Sequence, residues 1–514
     1  MRSARTISSR SRLVALFAAA LVAAPGAAGP AGAQAPAPLV SAGFDAYVAK
    51  SLHEWNVPGL SVAIVKGDRS YVKGYGVRTL GRPETVDANT VFEIASTSKA
   101  FTATAIGMLV DQKKLDWDDP VVKALPWFQL SSPWVTREIT LRDMLTHRSG
   151  LTGGYELFGS NSALSRDEIL RRMRYLPFSP PFRSGFGYSN LGYLVAGQTI
   201  PAVSGQSWDA FLRARIFEPL GMTSTSTTYA ELTASPDHSG AHEAPEGKLQ
   251  VIRTVNGDNI GPAGSVNSSA ADMAHWVEML LGGGVYHGKR IIESATLAET
   301  MRPEMVVPGG FPHSLYFPDA TYTEYGMGWF VSDYRGHRVI SHSGDVEGFA
   351  AQVGLIPDLH AGVVVLSNAD GEVPVALEYR AFDEILGSPS RDWSGEMLAN
   401  YNKILTAAYA GLHAALAKRV LGTHPTLPLA RYAGTYHNDY YGDVVVRSGS
   451  TGLSLQLLGL TRRLEHWDYD TFRVALESPG LFDQPYVTFA LDDTGTPHTV
   501  KIGDGDNAVL TRVP

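Results

Sequence analysis

Residues 91–112 read VFEIASTSKAFTATAIGMLVDQ, a long and almost wholly apolar helix pattern that opens on Ser96-Thr97-Ser98-Lys99. An ammonium at the start of a buried helix is costly unless it is paired or deprotonated. Either the chain tolerates a solvated helix end here, or Lys99 has chemical work to do. A spacing of three on a helix puts Ser96 and Lys99 on one face, about 5–6 Å apart at Cβ. The first turn of a helix also gathers unpaired N–H groups and the positive end of the dipole, which favour a developing anion at Ser96. A desolvated Lys99 can lose its proton and then accept the one on Ser96.

Two later stretches offer groups that would complete such chemistry. In SGFGYSNLGY, Tyr188 carries a phenol that could relay a proton between nucleophile and leaving group. Asn190, two positions on, has an amide able to hydrogen-bond a substrate carbonyl. In VISHSGDVEGF, His342, Ser343 and Gly344 lie on an expected strand. A cation or donor at His342 could hold a carboxylate or assist the tyrosine, and Gly344 would let a substrate backbone come close. Read singly, each has an ordinary alternative: a chance pairing, a glycine-rich turn with a packing tyrosine, a surface histidine beside a turn.

The rest of the sequence narrows the field. There is no G-x-S-x-G nucleophile elbow, no H-E-x-x-H and no phosphate-cradling G-x-x-x-x-G-K-[ST]. No metal or cofactor is expected. A formal charge of −8 over 514 residues, with no basic stripe, argues against nucleic-acid binding. Cysteine is absent, so neither disulfides nor thiol chemistry contribute. Arg2, Arg5, Arg10 and Arg12 precede the apolar run LVALFAAALVAA and the small-residue exit Ala31-Gly32-Ala33, the pattern of a cleaved secretory signal over 1–33. Its removal takes the net charge to about −12. A periplasmic or secreted protein is expected, with no stable membrane insertion after signal removal.

Outward from Ser96, the pattern runs strands, then helices, then strands. GLSVAIVKGDRSYVKGYGV reads as two strands about Lys66-Gly67-Asp68-Arg69, and residues 110–330 alternate helical pieces with Gly/Pro-rich loops. Strands return over 325–369. This order predicts an α+β domain over 34–388, its antiparallel sheet joining both ends of that segment. A helical linker over 389–428 follows, and then short strands over 429–514 that predict a small all-β barrel or sandwich. Trp467, Tyr469 and Phe472 are expected in the core of that last domain.

Taken together, S-x-x-K, then Y-x-N, then a basic residue two before a glycine on a late strand resembles the ordered motif set of the serine β-lactamase and penicillin-binding protein superfamily. The chain looks most like its class C β-lactamase-like branch, over roughly 40–385. LRDMLTHRSGL, YSNLGYLVAG, FEPLGMTST, PAGSVNSSAADMAHW and YGMGWF support this. The resemblance implies Ser96 as the acylated nucleophile, Lys99 as its base partner and Tyr188 as general acid/base. It implies Asn190, His342, Ser343, Gly344 and Asp345 as substrate-binding positions, with the backbone N–H groups of Ser96 and Asp345 forming the oxyanion hole. It further implies an acyl-enzyme hydrolase of short peptides or amides, including D- or non-standard residues and linearised cyclic peptides. An esterase or weak β-lactamase, or a non-catalytic penicillin-binding or peptidoglycan-sensing protein, are the alternatives. The last domain resembles the lipocalin-like barrel of some peptidases of the branch, where it caps the site or mediates homo-oligomers. Two departures stand out: His-Ser-Gly replaces Lys-Thr-Gly, and Asp345 puts a negative charge where a lactamase benefits from attracting a carboxylate. Ser184-Gly185, where the branch often has Pro-Gly, is expected only to loosen a turn.

Overall fold

The alternation of GLSVAIVK explains the architecture, because its two faces bury against two different sets of helices. In the computed structural model, which describes residues 38–309, 316–389, 391–475, 485–505 and 507–514, this segment is strand β1 (Gly59–Lys66). Leu60, Val62 and Ile64 pack into one core with Phe44, Leu377, Phe382 and Trp393, while Ala63 and Val65 pack into another with Met273 and Val277. A strand buried on both faces reads as a continuous apolar run. β2 (Arg69–Gly76) pairs with β1 across a two-residue turn whose first residue, Gly67, has φ +62°. That is where such hairpins require glycine.

The sheet is completed by β3 (Met305–Val306), β4 (Thr323–Tyr325), β5 (Phe330–Tyr334), β6 (His337–Val346), β7 (Phe349–Ile356) and β8 (Ala361–Ser367). Its order is β2-β1-β8-β7-β6-β5-β4-β3, antiparallel throughout. β1 pairs with β8, so the two sequence-distant ends do meet in one sheet, as expected. Helix α1 (Phe44–Glu54) covers one face with its buried Phe44, Val48 and Leu52, at the spacing of an amphipathic helix. α2 (Ser98–Asp111) is enclosed on every side, as an all-round apolar helix must be. α3 (Asn190–Ser204) and α4 (Ala270–Leu281) belong to the helical region on the same side as α2, and α5 (Val373–Leu386) lies with α1.

α6 (Trp393–Leu416) buries only its first turns, through Trp393, Ser394 and Met397. Beyond it β9 (Gly434–Asn438), β10 (Gly442–Gly449), β11 (Gly452–Leu457), β12 (Leu460–Asp468), β13 (Thr471–Val474), β14 (Tyr486–Leu491), β15 (Pro497–Ile502) and β16 (Val509–Arg512) close into a barrel. Closure removes the sheet edges. Phe472 is in the barrel core, but Tyr469 is 56% exposed at a turn with φ +43°, so its expected burial is corrected. Trp467 is partly buried, with the Arg419 guanidinium 4.4 Å from its ring centroid and the Tyr486 ring tilted against it. The proposed signal segment lies outside the described residues. Among the described residues no helix is long and apolar enough to cross a membrane.

Candidate active site

The helix does not begin at Ser96. Ala95–Thr97 form one 3₁₀ turn, and α2 proper starts at Ser98. In 3₁₀ geometry side chains three apart nearly eclipse, which draws Ser96 and Lys99 closer than α-helical spacing would. Lys99 Nζ lies 2.9 Å from Ser96 Oγ. Ala95, just before, has φ +44°, a left-handed conformation that costs a non-glycine residue about 1–2 kcal/mol. Close packing holds the turn. A Cβ on Gly344 would stand 2.2 Å from the Ile94 carbonyl oxygen and 3.1 Å from Ser96 N, so only glycine lets β6 lie against this backbone. Ser96 N–H meets no protein acceptor among the described residues.

Lys99 is fully buried, and burial holds its amine well below the ordinary lysine range. Its other two partners are Asn190 Oδ1 and the Ala263 carbonyl, each at 2.8 Å. Both are pure acceptors. A neutral amine has two N–H bonds and one lone pair, so donating to those two leaves the lone pair facing Ser96, whose hydroxyl then donates. The geometry and the depressed basicity agree on a deprotonated lysine aimed at a serine proton.

Local structure explains the Tyr188-Ser189-Asn190 order. Ser189 caps α3, its Oγ accepting from Gly192 N–H at 3.3 Å, which sets Tyr188 just before the helix and Asn190 in its first turn. Gly192 brings the helix down, since a Cβ there would lie 2.7 Å from the Met144 carbonyl oxygen. Tyr188 shares a hydrogen bond with Ser96, and burial raises its phenol far above the ordinary range, so it stays protonated. Lys99 Nζ sits 4.9 Å from the centroid of its ring.

His342 departs from expectation. It is buried, its Nδ1–H donating to the Ser343 carbonyl at 2.6 Å and its Nε2 accepting from the Tyr325 hydroxyl at 2.9 Å. Burial above all pushes the imidazole down to about 3. It is a neutral group with both nitrogens engaged, and the cation or free donor expected from the sequence is not there. Ser343 and Gly344 continue β6 past the Ser96 turn, and Asp345 opens into the cavity beside it.

His147, which the sequence reading passed over inside LRDMLTHRSGL, lies at the centre of this cluster. Its Nδ1 accepts from Ser189 N–H at 3.1 Å, and its ring centroid is 4.3 Å from that of Tyr188 and 4.6 Å from that of Tyr325. Nothing in the periodicity marked it. The available signal was a histidine at the end of a helix pattern, in a stretch already noticed.

Ser96 and Asn190 open on a cavity of about 300 Å³. A neighbouring cavity of about 460 Å³ shares Gly159, Ser160, Tyr229 and Asp258 with it and is bounded by Leu460, Thr461 and Arg462 of the barrel. The barrel is fastened there: Ala163 N–H donates to the Leu458 carbonyl at 2.9 Å, Arg462 bonds the Ser160 carbonyl, and Tyr440 bonds Glu156.

A family model described as Beta-lactamase matches residues 44–386. The chain belongs to the beta-lactamase family. Members of this family are serine hydrolases. A second model, for a domain of unknown function named DUF3471, matches residues 418–511, which include the barrel. Among curated proteins, an unguisins hydrolase of Aspergillus violaceofuscus is 28% identical over 497 residues, 90% of this chain and 87% of its own. Penicillin-binding protein 4 of Amycolatopsis lactamdurans is 27% identical over 65% of this chain and 86% of its own. The fold is shared with an octameric penicillin-binding protein homologue from Pyrococcus abyssi, at TM-score 0.58 and 23% identity over 91% of this chain and 99% of that one. It is also shared with a D-amino acid amidase from Ochrobactrum anthropi, at TM-score 0.53 and 22% identity over 70% of this chain and 99% of that one.

Proposed function

We propose that this beta-lactamase-family protein is an exported peptidase or amidase acting on short peptides through an acyl-enzyme at Ser96. The observation that carries the reading is Lys99, buried and held between two obligate acceptors with its remaining position on Ser96 Oγ. As Oγ attacks the substrate carbonyl, the serine proton passes to Lys99 and the carbonyl oxygen becomes an anion. The N–H of Ser96, with that of Asp345 as its partner, receives the anion, each donor supplying about 3–4 kcal/mol. Tyr188, protonated and bonded to Ser96, hands a proton to the leaving nitrogen as the C–N bond breaks. The Lys99 ammonium then returns a proton to the phenolate, leaving the amine neutral again. Water then attacks the ester, gives a proton to Lys99, and the acid departs as Ser96 recovers its hydrogen.

The amidase reading is supported over the lactamase one by the wall of the cavity. Lactam antibiotics carry a carboxylate, and the residues lining the Ser96 cavity include Glu93, Asp258, Asp345 and Glu347 but no lysine or arginine among those described. The similarity to an unguisins hydrolase supports peptides with non-standard residues, linearised cyclic peptides included, as substrates. The test is labelling by a serine-directed fluorophosphonate together with turnover of D- and L-peptide amides. Ser96→Ala should abolish both. Unchanged hydrolysis in that variant would rule the assignment out, and labelling without turnover of any amide would favour a sensor.

A further inference from the structure

Glu93 lies three residues before Ser96, paired through its backbone with Asn267, and the residue is 9% exposed. It lines the Ser96 cavity and makes no hydrogen bond or ion pair among the described residues. A buried carboxyl without a partner is expensive and calls for an explanation. The residues facing it across the cavity deepen the problem. Glu347 and Asp258, both acidic, line the same cavity and oppose its ionisation, and Asp345 lies two residues before Glu347 at the end of β6. Asp258 is partly compensated, its Oδ1 accepting from Tyr229 N–H at 2.7 Å, but Glu347 is not. Three carboxylates and a buried carboxyl therefore surround one small space next to the nucleophile. No three of them come together as metal ligands among the described residues. Arg253 and Arg462 border the next cavity, toward the barrel.

We infer that the cavity beside Ser96 receives a protonated amine of the substrate, with Glu93 as its buried partner and Glu347, Asp258 and Asp345 as its field. This deepens the hydrolase reading and rests on it. The shared chemistry is an ammonium, supplied either by a free peptide N-terminus or by a basic side chain. An ammonium offers three donors, and Glu93 together with the Glu347 carboxylate offers acceptors that nothing else in the described protein uses. Burial, then Glu347 and Asp258, pushes the Glu93 carboxyl up to about 8, a crowding that an entering cation would relieve. A neutral or acylated group in the same place would leave it unrelieved.

The experiment compares peptide p-nitroanilides in matched pairs: a free against an acetylated N-terminus, and lysine or ornithine against norleucine. We expect one of the two pairs to favour the cation by at least about tenfold in kcat/KM, the first pair assigning a terminal amine and the second a basic side chain. The ratio should fall toward one in Glu93→Gln, and by a smaller factor in Glu347→Gln, whose partly exposed side chain can change without disturbing the core. Binding of the same peptides to Ser96→Ala by calorimetry reads the preference without turnover. Turnover of both members of each pair at equal rates overturns the amine site and leaves the hydrolase intact. A preference that survives Glu93→Gln and Glu347→Gln unchanged also overturns it. Failure to label Ser96 or to turn over any amide defeats the hydrolase reading instead, and the calorimetric ratio then decides the amine site on its own.

Discussion

Replacing Lys99 by methionine tests the proton path most directly, because the two side chains have nearly the same length and volume while methionine has no basic nitrogen. Ser96 Oγ loses an acceptor 2.9 Å away, and Asn190 Oδ1 and the Ala263 carbonyl each lose a donor at 2.8 Å. Asn190 lines the cavity and can turn to water. Ala263 is 1% exposed, so its carbonyl stays unpaired at a cost of about 1–3 kcal/mol. Against that, the substitution removes an amine whose own burial is unfavourable. The net change in stability should stay within about 2 kcal/mol, a shift in Tm of a few degrees. Activity has no such compensation. With no group to take the serine proton, kcat/KM should fall at least about 10³-fold, roughly 4 kcal/mol of barrier. The assay is fluorophosphonate labelling and kcat/KM of an amide across pH. In the wild type the active form is the neutral amine, so the rate climbs with pH through a value well below the ordinary 10.5 of lysine. Tyr188, raised by burial, stays protonated across this range. The variant should lack that rising limb. A Lys99→Met enzyme within about tenfold of wild type, or a flat wild-type profile, would refute the proton path.

Two further outcomes follow from packing and burial. Gly344→Ala places a methyl group 2.2 Å from the Ile94 carbonyl oxygen, so β6 or the Ser96 turn must shift. The two oxyanion donors then separate, and kcat/KM should drop by about 10² or more with a cooperative melt retained. Normal activity would mean the strand and turn do not meet as described. Glu378 is 2% exposed, bonded on one oxygen to Gln352 Nε2 at 2.8 Å, with its other oxygen unpartnered over Gly354. Burial pushes its carboxyl from 4.5 up to about 8. Between those values the folded protein holds a proton that the unfolded chain releases. Its contribution to stability is therefore present at low pH and lost as pH rises through the window, by a few kcal/mol at about pH 8. Glu378→Gln should flatten the fall of Tm between pH 5 and 8, and an unchanged slope would refute the assignment.

How much of this was legible in the sequence depended on the range of the forces involved. The S-x-x-K spacing, the all-round apolar helix behind it and the two-faced strand GLSVAIVK are local patterns. They fix the helix, the sheet and the order of the three motifs, because burial periodicity and turn chemistry act within a few residues. Tyr188 and Asn190 were legible as a phenol and an amide two positions apart in the expected motif order, whereas the cap that Ser189 makes between them came from the fold. The 3₁₀ turn at Ala95–Thr97 was not. It depends on Gly344 of a distant strand lying against Ile94, and no local signal calls for an alanine at φ +44°.

Charge state was the other thing that only the tertiary structure decided. By sequence, His342 stood where a cation was expected, but in the fold its two nitrogens are spent on Ser343 and Tyr325 inside a buried wall, and burial disfavours an ionised ring. Lys99 and Glu93, whose residue types announce opposite charges, are both pushed toward neutrality by the same enclosure. A sequence determines which ionisable groups a protein owns and roughly where along the chain they fall. Whether each one carries its charge depends on solvent removed and partners supplied by segments hundreds of residues away, and those are properties of the folded chain alone.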